Sequence, residues 1–282
     1  MSSRTPVLGV FDSGFGGLTV LSALLQTVPS AHFIYVGDTA RLPYGAKSAA
    51  TVARYAVESA RFLEQRGADL LVIACNTATA LALQEIRSAV RVPVVGVIEP
   101  GARAAAAAMQ SPTNQPSAST PEAEILVLAT AATVQSHAYQ HTCAALGLNA
   151  TEEACPLLVP LVEEGWTDHP VTRKVLDIYL REALANCSPR AVLLGCTHYP
   201  LIASAIERTL RNLGSSAIVI DSAQATASAV AEQLAVDTLP NQPPPIPTFE
   251  CFATDSVEKF QRLGSLFLGQ PIPAVHLLDL GG

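Results

Sequence analysis

Short apolar runs alternating with segments of helical length constrain this chain more than any other feature. The runs are Val7–Phe11, His32–Val36, Leu70–Ala74, Val94–Ile98, Ile125–Ala129, Ala191–Leu194 and Ile218–Ile220. They are rich in Val, Ile and Leu, and most lack polar alternation, which is how strands read when a parallel sheet is covered on both faces. Between them, Ser48–Arg66, Ala78–Val90, Pro170–Ala185 and Pro200–Leu213 have helical length and composition. The alternation predicts an α/β fold with mainly parallel sheets. A chain of 282 residues exceeds the comfortable size of one core, so one large or two modest domains are expected. With 49% hydrophobic and 15% charged residues, it has enough apolar surface to exclude global disorder.

Acidic residues outnumber basic ones, 24 to 17, for a net charge of −7. That balance argues against a general binder of nucleic acid or anionic membranes, but not against an anionic substrate held in a local pocket. No run of 18 apolar residues marks a membrane span, and Val7–Phe11 is too short for the core of a signal peptide. A cytoplasmic protein is expected, with Cys75, Cys143, Cys155, Cys187, Cys196 and Cys251 as reduced thiols. Gln110–Glu124 is polar, contains three prolines and reads as an exposed loop. Leu239–Pro247 reads as a second connection. Replacing Gln110–Glu124 by a short Gly/Ser turn is expected to leave activity within a few-fold. Loss of activity in a folded variant would give that segment a role.

Two strings echo each other: LLVIACNTATA at Leu70–Ala80 and AVLLGCTHYPL at Ala191–Leu201. Each reads as an apolar strand followed by a cysteine, polar residues including threonine, and a helix. Two domains of similar build would account for the echo, and so would chance likeness between two strand–turn–helix units. Ligands of open α/β sheets bind outside the carboxyl ends of strands, where Cys75 and Cys196 both fall. Free N–H groups at a following helix start would stabilise a thiolate and lower its pKa. Asn76, Thr77 and Thr197 add amide and hydroxyl donors beside the two thiols. His198, two residues after Cys196, could orient that thiol or share its proton.

Asp12 and Ser13 end the first apolar run, in GVFDSGFGGLTVL, where glycines permit a tight turn and close approach to a ligand. Asp12 is a candidate site carboxylate. The string lacks the full G-x-G-x-x-G, and no phosphate-binding P-loop pattern occurs, so nucleotide binding is not expected. Glu163 and Glu164 follow CPLLVPLV and alone would read as a solvated helix start. Neither C-x-x-C nor H-E-x-x-H is present, so no metal is expected. Pyridoxal phosphate needs a lysine, and the chain has only Lys47, Lys174 and Lys259, the last two in probable surface helices.

Several of these strings, in this order, resemble the glutamate racemases of the aspartate/glutamate racemase superfamily. They are FDSGFGGLTVL at Phe11–Leu21, YVGDTARLPYG at Tyr35–Gly45, ACNTATA at Ala74–Ala80 and GVIEPG at Gly96–Gly101. They continue with ATAATVQSHAY at Ala129–Tyr139, CPLLVPLVEEG at Cys155–Gly165 and GCTHYPL at Gly195–Leu201. The resemblance implies two similar α/β domains with the active site in the cleft between them. The expected division is residues 1–99 with 211–282 for the first domain and 100–210 for the second. It implies cofactor-independent interconversion of L- and D-glutamate, with Cys75 and Cys196 transferring the proton, and a supply of D-glutamate for peptidoglycan synthesis. Asp12, Glu163 and His198 match supporting polar residues. Asp12, Ser13, Tyr44, Gly45, Asn76, Thr77, Thr197 and His198 match substrate contacts. A homodimer is expected. Only Met1–Pro6 precede the first run, so the control exerted through a long N-terminal extension in some relatives is not expected. The connection at Gln110–Glu124 is longer than usual for the family, and the chain from Pro240 onward matches loosely.

Three other readings stay open on the residues alone. They are racemisation of aspartate or another small acid, a hydrolase or lyase with one nucleophilic cysteine, and a non-catalytic amino-acid binder.

Overall fold

The computed structural model describes residues 5–109, 125–234 and 247–280. Its strands are β1 (Val7–Asp12), β2 (His32–Gly37), β3 (Leu70–Ile73), β4 (Val94–Gly96), β5 (Ile125–Ala129), β6 (Ala150–Ala154), β7 (Ala191–Gly195), β8 (Ile218–Asp221), β9 (Thr248–Ala253) and β10 (Val275–Leu277). Its helices are α1 (Leu18–Thr27), α2 (Ala49–Gln65), α3 (Asn76–Ala89), α4 (Ile98–Met109), α5 (Ala131–Gln135), α6 (Ala138–Ala145), α7 (Leu158–Glu163), α8 (Pro170–Asn186), α9 (Ala203–Asn212), α10 (Ser222–Gln233) and α11 (Val257–Leu268). Each expected apolar run forms a strand. Gln110–Glu124 and most of Leu239–Pro247 lie outside the described residues.

The strands form two sheets, one of six strands in the order β10-β9-β2-β1-β3-β4 and one of four in the order β6-β5-β7-β8. Every pairing in both is parallel. The central strands β3, β5 and β7 are buried along their whole length, because helices cover both faces. The strands that the apolar pattern did not announce are β6, β9 and β10. β6 and β10 are edge strands with little need to be apolar throughout. β6 reads ATEEA and is mostly half-buried. β9 reads TFECFA and is buried only toward its end.

The two sheets repeat one topology. In each, the first strand lies between the second and third, giving β2-β1-β3-β4 and β6-β5-β7-β8. A crevice therefore opens at the carboxyl ends of β1 and β3, and another at those of β5 and β7, where connections leave in opposite directions. Cys75 and Cys196 follow the equivalent strands β3 and β7, so the sequence echo corresponds to equivalent positions in the fold. β8 hydrogen-bonds to β7, although it lies beyond residue 210, where the sequence reading returned the chain to the first domain.

One hydrophobic cluster runs through both halves. It contains Leu8, Val10 and Tyr35 of the larger sheet, Leu126, Leu128 and Val192 of the smaller, and Leu18, Leu21, Ala223 and Ala227 between them. The last four belong to α1 and α10, which pack together. Among the described residues no helix is long and apolar enough to cross a membrane.

Candidate active site

Pairing register brings the site residues of each half together. Phe11 lies opposite Ile73, and the Ala74 N–H donates to the Phe11 carbonyl, so the chain leaves β1 as Asp12-Ser13 beside Ala74-Cys75. In the smaller sheet Ala129 lies opposite Gly195, so Thr130 and Cys196 leave side by side.

Cys75 is the N-cap of α3. Its sulfur accepts from the Ala78 N–H at 3.4 Å, while its thiol donates to Ser13 Oγ at 3.4 Å. The helix start acts to lower this pKa, as expected, but it is outweighed. Burial and the nearby charge of Asp12 push the Cys75 thiol up to about 12, against the lowering effect of Ser13 and the backbone N–H groups. Desolvation of a fully buried thiolate outweighs the long hydrogen bonds made at the sulfur. Asp12 is itself wholly buried. Burial raises its pKa, opposed by the charge of His198 and by the N–H groups of Gly14 and Gly17. Its Oδ2 accepts from the Gly14 N–H at 2.9 Å, while its Oδ1 is buried without a partner.

Cys196 is built differently. It precedes a short 3₁₀ turn, Tyr199–Ile202, so no α-helix starts directly after it. Its partner is His198, whose Nδ1 lies 3.8 Å from the sulfur and 3.4 Å from Thr197 Oγ1. The other ring nitrogen, Nε2, lies 3.1 Å from Oε1 of Glu163, the last residue of α7. Burial works to lower the His198 pKa, but Cys196 and Glu163 outweigh it and hold the ring up at about 10. His198 is therefore an imidazolium near neutrality, set between a sulfur and a carboxylate. Glu163 thus meets the site through the imidazole, and the solvated-helix reading fails for it.

Contacts between the halves close the arrangement. Thr77 Oγ1 lies 3.0 Å from Thr130 Oγ1 and 3.2 Å from Thr133 Oγ1. The Asn76 Oδ1 accepts from the Tyr139 hydroxyl at 2.5 Å. Thr19 Oγ1 donates to the Thr197 carbonyl at 3.3 Å. Gly16, expected to admit a ligand, instead admits Thr197 and His198: a Cβ there would stand 2.6 Å from His198 Nδ1 and closer still to Thr197 Oγ1. Tyr44 is buried with its hydroxyl committed to Asp38. The turn at Tyr44–Ala46 rests against Thr130, 3.1 Å from a Cβ built on Gly45.

Thr130, Thr133, Tyr139 and Asp38 were not assigned from sequence. Thr130 had a signal, since it directly follows the first strand of its sheet and caps α5. Tyr139 had none that separates it from an ordinary core aromatic. Among the described residues no three His, Cys, Asp or Glu side chains are grouped to hold a metal ion. A separate cavity of about 880 Å³, lined by Arg87, Gly96, Arg103 and His141 among others, includes neither thiol.

The site and topology have counterparts in known proteins. The Asp/Glu/Hydantoin racemase family model matches residues 8–230. A glutamate racemase of Koribacter versatilis is 49% identical, with all of both chains covered. Among solved structures, a glutamate racemase isoform of Bacillus anthracis superposes with a TM-score of 0.85 at 34% identity, over 99% of each chain. The glutamate racemase of Francisella tularensis, solved with D-glutamate, gives 0.82 at 30% identity, over 98% of each. These matches agree with the resemblance read from the motifs: the chain belongs to the Asp/Glu/Hydantoin racemase family and is an amino-acid racemase.

Proposed function

We propose that this racemase interconverts L- and D-glutamate without a cofactor, using Cys75 and Cys196 as an acid–base pair on opposite faces of the α-carbon. The carrying observation is that two buried thiols follow equivalent strands of the two sheets, each with a different buried partner. The named substrate of the relatives, and the D-glutamate bound in the Francisella structure, support glutamate as the acid.

Racemisation takes the α-proton from one face and returns a proton to the other, so one group must begin as base and the other as acid. Cys75, held up at about 12, stays a thiol near neutral pH and is the acid. Cys196, whose sulfur lies 3.8 Å from Nδ1 of His198, is the base. The family resemblance assigns the proton of L-glutamate to Cys196, with Cys75 supplying the new one on the other face. In reverse, a substrate ammonium beside Asp12 offsets the burial and negative charge that keep Cys75 protonated, and Cys75 becomes the base. Glu163 keeps His198 charged and oriented.

Two buried orphans complement an amino acid. Asp12 Oδ1 is an acceptor for the ammonium and Asn76 Nδ2 a donor for the α-carboxylate. Left unpaired, such groups cost about 1–3 kcal/mol each, which a bound ligand recovers. Ser13, Thr77 and Thr197 contribute hydroxyls, and Tyr44 and Gly45 contribute backbone. Donors on the carboxylate also stabilise the charge that develops as the α-proton leaves, the part a cofactor plays in other racemases.

On this reading one domain is built on the six-stranded sheet, and the other on the four-stranded sheet including β8. The protein acts in the cytoplasm as a homodimer and supplies D-glutamate for peptidoglycan.

Circular dichroism of L-glutamate, and separately of L-aspartate, incubated with enzyme and no cofactor tests the assignment. Decay of the glutamate signal alone is expected. Binding of glutamate without decay would make the chain a non-catalytic binder. Proton NMR in heavy water should show deuterium entering the α-position during turnover, because thiols exchange with solvent. Inversion with full retention of the original hydrogen would remove the thiols as proton carriers.

A further inference from the structure

We propose that Tyr139 is a positioning residue for the reaction: its hydroxyl holds the Asn76 amide so that Nδ2, and not Oδ1, faces the substrate carboxylate. This rests on the reading of Asn76 as a substrate contact given above.

Tyr139 belongs to α6, in the half of the molecule that carries Cys196. Its ring is fully buried in the core cluster formed by Ile98, Ala102, Val127 and Leu193, among others. A Cβ on Gly195 would stand 3.0 Å from this ring, so the ring rests on the residue immediately before Cys196. Its hydroxyl crosses to the other half and donates at 2.5 Å to Asn76, the residue immediately after Cys75. One side chain thus touches both thiol-bearing strand ends.

The amide of Asn76 can turn either of two ways, and the two ends of the group differ in sign. With Oδ1 toward Tyr139, the hydroxyl hydrogen and the amide oxygen satisfy each other. Nδ2 is then left buried and unpartnered, as observed. Turned over, Nδ2 would donate to the tyrosine oxygen, and the hydroxyl hydrogen would lose its acceptor in a fully buried position. The amide would also present a lone-pair oxygen to an anionic ligand. A buried donor without an acceptor costs more than an ordinary hydrogen bond gains, so Tyr139 selects the orientation that binds a carboxylate. Burial raises the Tyr139 pKa, and the hydroxyl remains a donor throughout the neutral range.

The test is a double-mutant cycle of Tyr139→Phe and Asn76→Ala, read as KM and kcat for glutamate racemisation. Tyr139→Phe keeps the ring and removes only the hydroxyl. It should raise KM about ten-fold, with a smaller fall in kcat of about three-fold from the stabilisation lost as charge develops on the carboxylate. In the Asn76→Ala background the same substitution should leave KM unchanged, because its target is gone. KM does not depend on the concentration of folded enzyme, so partial unfolding of a variant cannot imitate this result. An unchanged KM in Tyr139→Phe, or an equal rise in both backgrounds, overturns the proposal. If Asn76→Ala leaves KM unchanged while the parent enzyme racemises glutamate, the positioning role falls and the reaction assignment stands. No racemisation by the parent enzyme overturns both.

Discussion

Cys75→Ser and Cys196→Ser are each expected to reduce net racemisation by about 10³-fold or more, yet to spare opposite enantiomers in half-reactions. A thiol titrates ordinarily near 8.5, whereas a serine hydroxyl is a far weaker acid and cannot supply a base near neutrality. The surroundings sharpen the contrast. In Cys196→Ser, His198 and Glu163 remain but the sulfur is gone, so proton removal from L-glutamate is expected to stop. Cys75 keeps Ser13, Asp12 and the Ala78 N–H and can still attack the D form. Analogues bearing a β-halogen expose this surviving step, because elimination of halide needs only one proton abstraction. Cys196→Ser should release halide from the D-configured analogue and not from the L form, and Cys75→Ser should do the reverse. Equal losses on both configurations would argue against thiols that serve one face each. Full racemase activity in either variant would remove that cysteine from the mechanism.

Gly16→Ala is the second large effect, about 10²-fold in kcat/KM, although Gly16 carries no chemistry of its own. An added Cβ would collide with Thr197 Oγ1 and His198 Nδ1. His198 has little room to yield, since Glu163 holds its far nitrogen and its ring stacks edge-on against Phe267 at 5.1 Å. The collision must therefore move the Thr197–His198 turn, and with it the imidazolium beside Cys196. Deuterium exchange at the α-carbon, followed separately for each enantiomer, is the measurement. Exchange from L-glutamate should fall more than exchange from D-glutamate, because Cys75 and Asn76 are not displaced. A variant with parental exchange from both would show that the turn adapts.

Several elements were legible in the chain for plain physical reasons. The interior strands announce themselves because burial on both faces demands unbroken apolar residues, as in LLVI of β3 and AVLLG of β7. The strands β6, β9 and β10 do not, because edges and partly exposed positions place no such demand. Cys75 and Cys196 stood out because a strand end is where α/β sheets present chemistry. Glu163 could be attached to the site only through the family resemblance. Its role depends on a histidine 35 positions away, reached when α7 packs against the turn at Tyr199–Ile202.

The sequence by itself determined the α/β class, the run of parallel strands and the place of two cysteines at strand ends, since these follow from local apolar pattern and spacing. Only the tertiary structure decided what surrounds each titratable group. A helix start predicts a lowered pKa at Cys75, yet complete desolvation and the neighbouring Asp12 drive it upward. A lone histidine predicts nothing in particular, yet a sulfur on one side and a carboxylate on the other keep His198 charged against the pull of burial. Desolvation and Coulomb attraction depend on distance through space. Residues far apart in the chain meet, and residues alike in their local motif acquire different surroundings, only when the two sheets close on them.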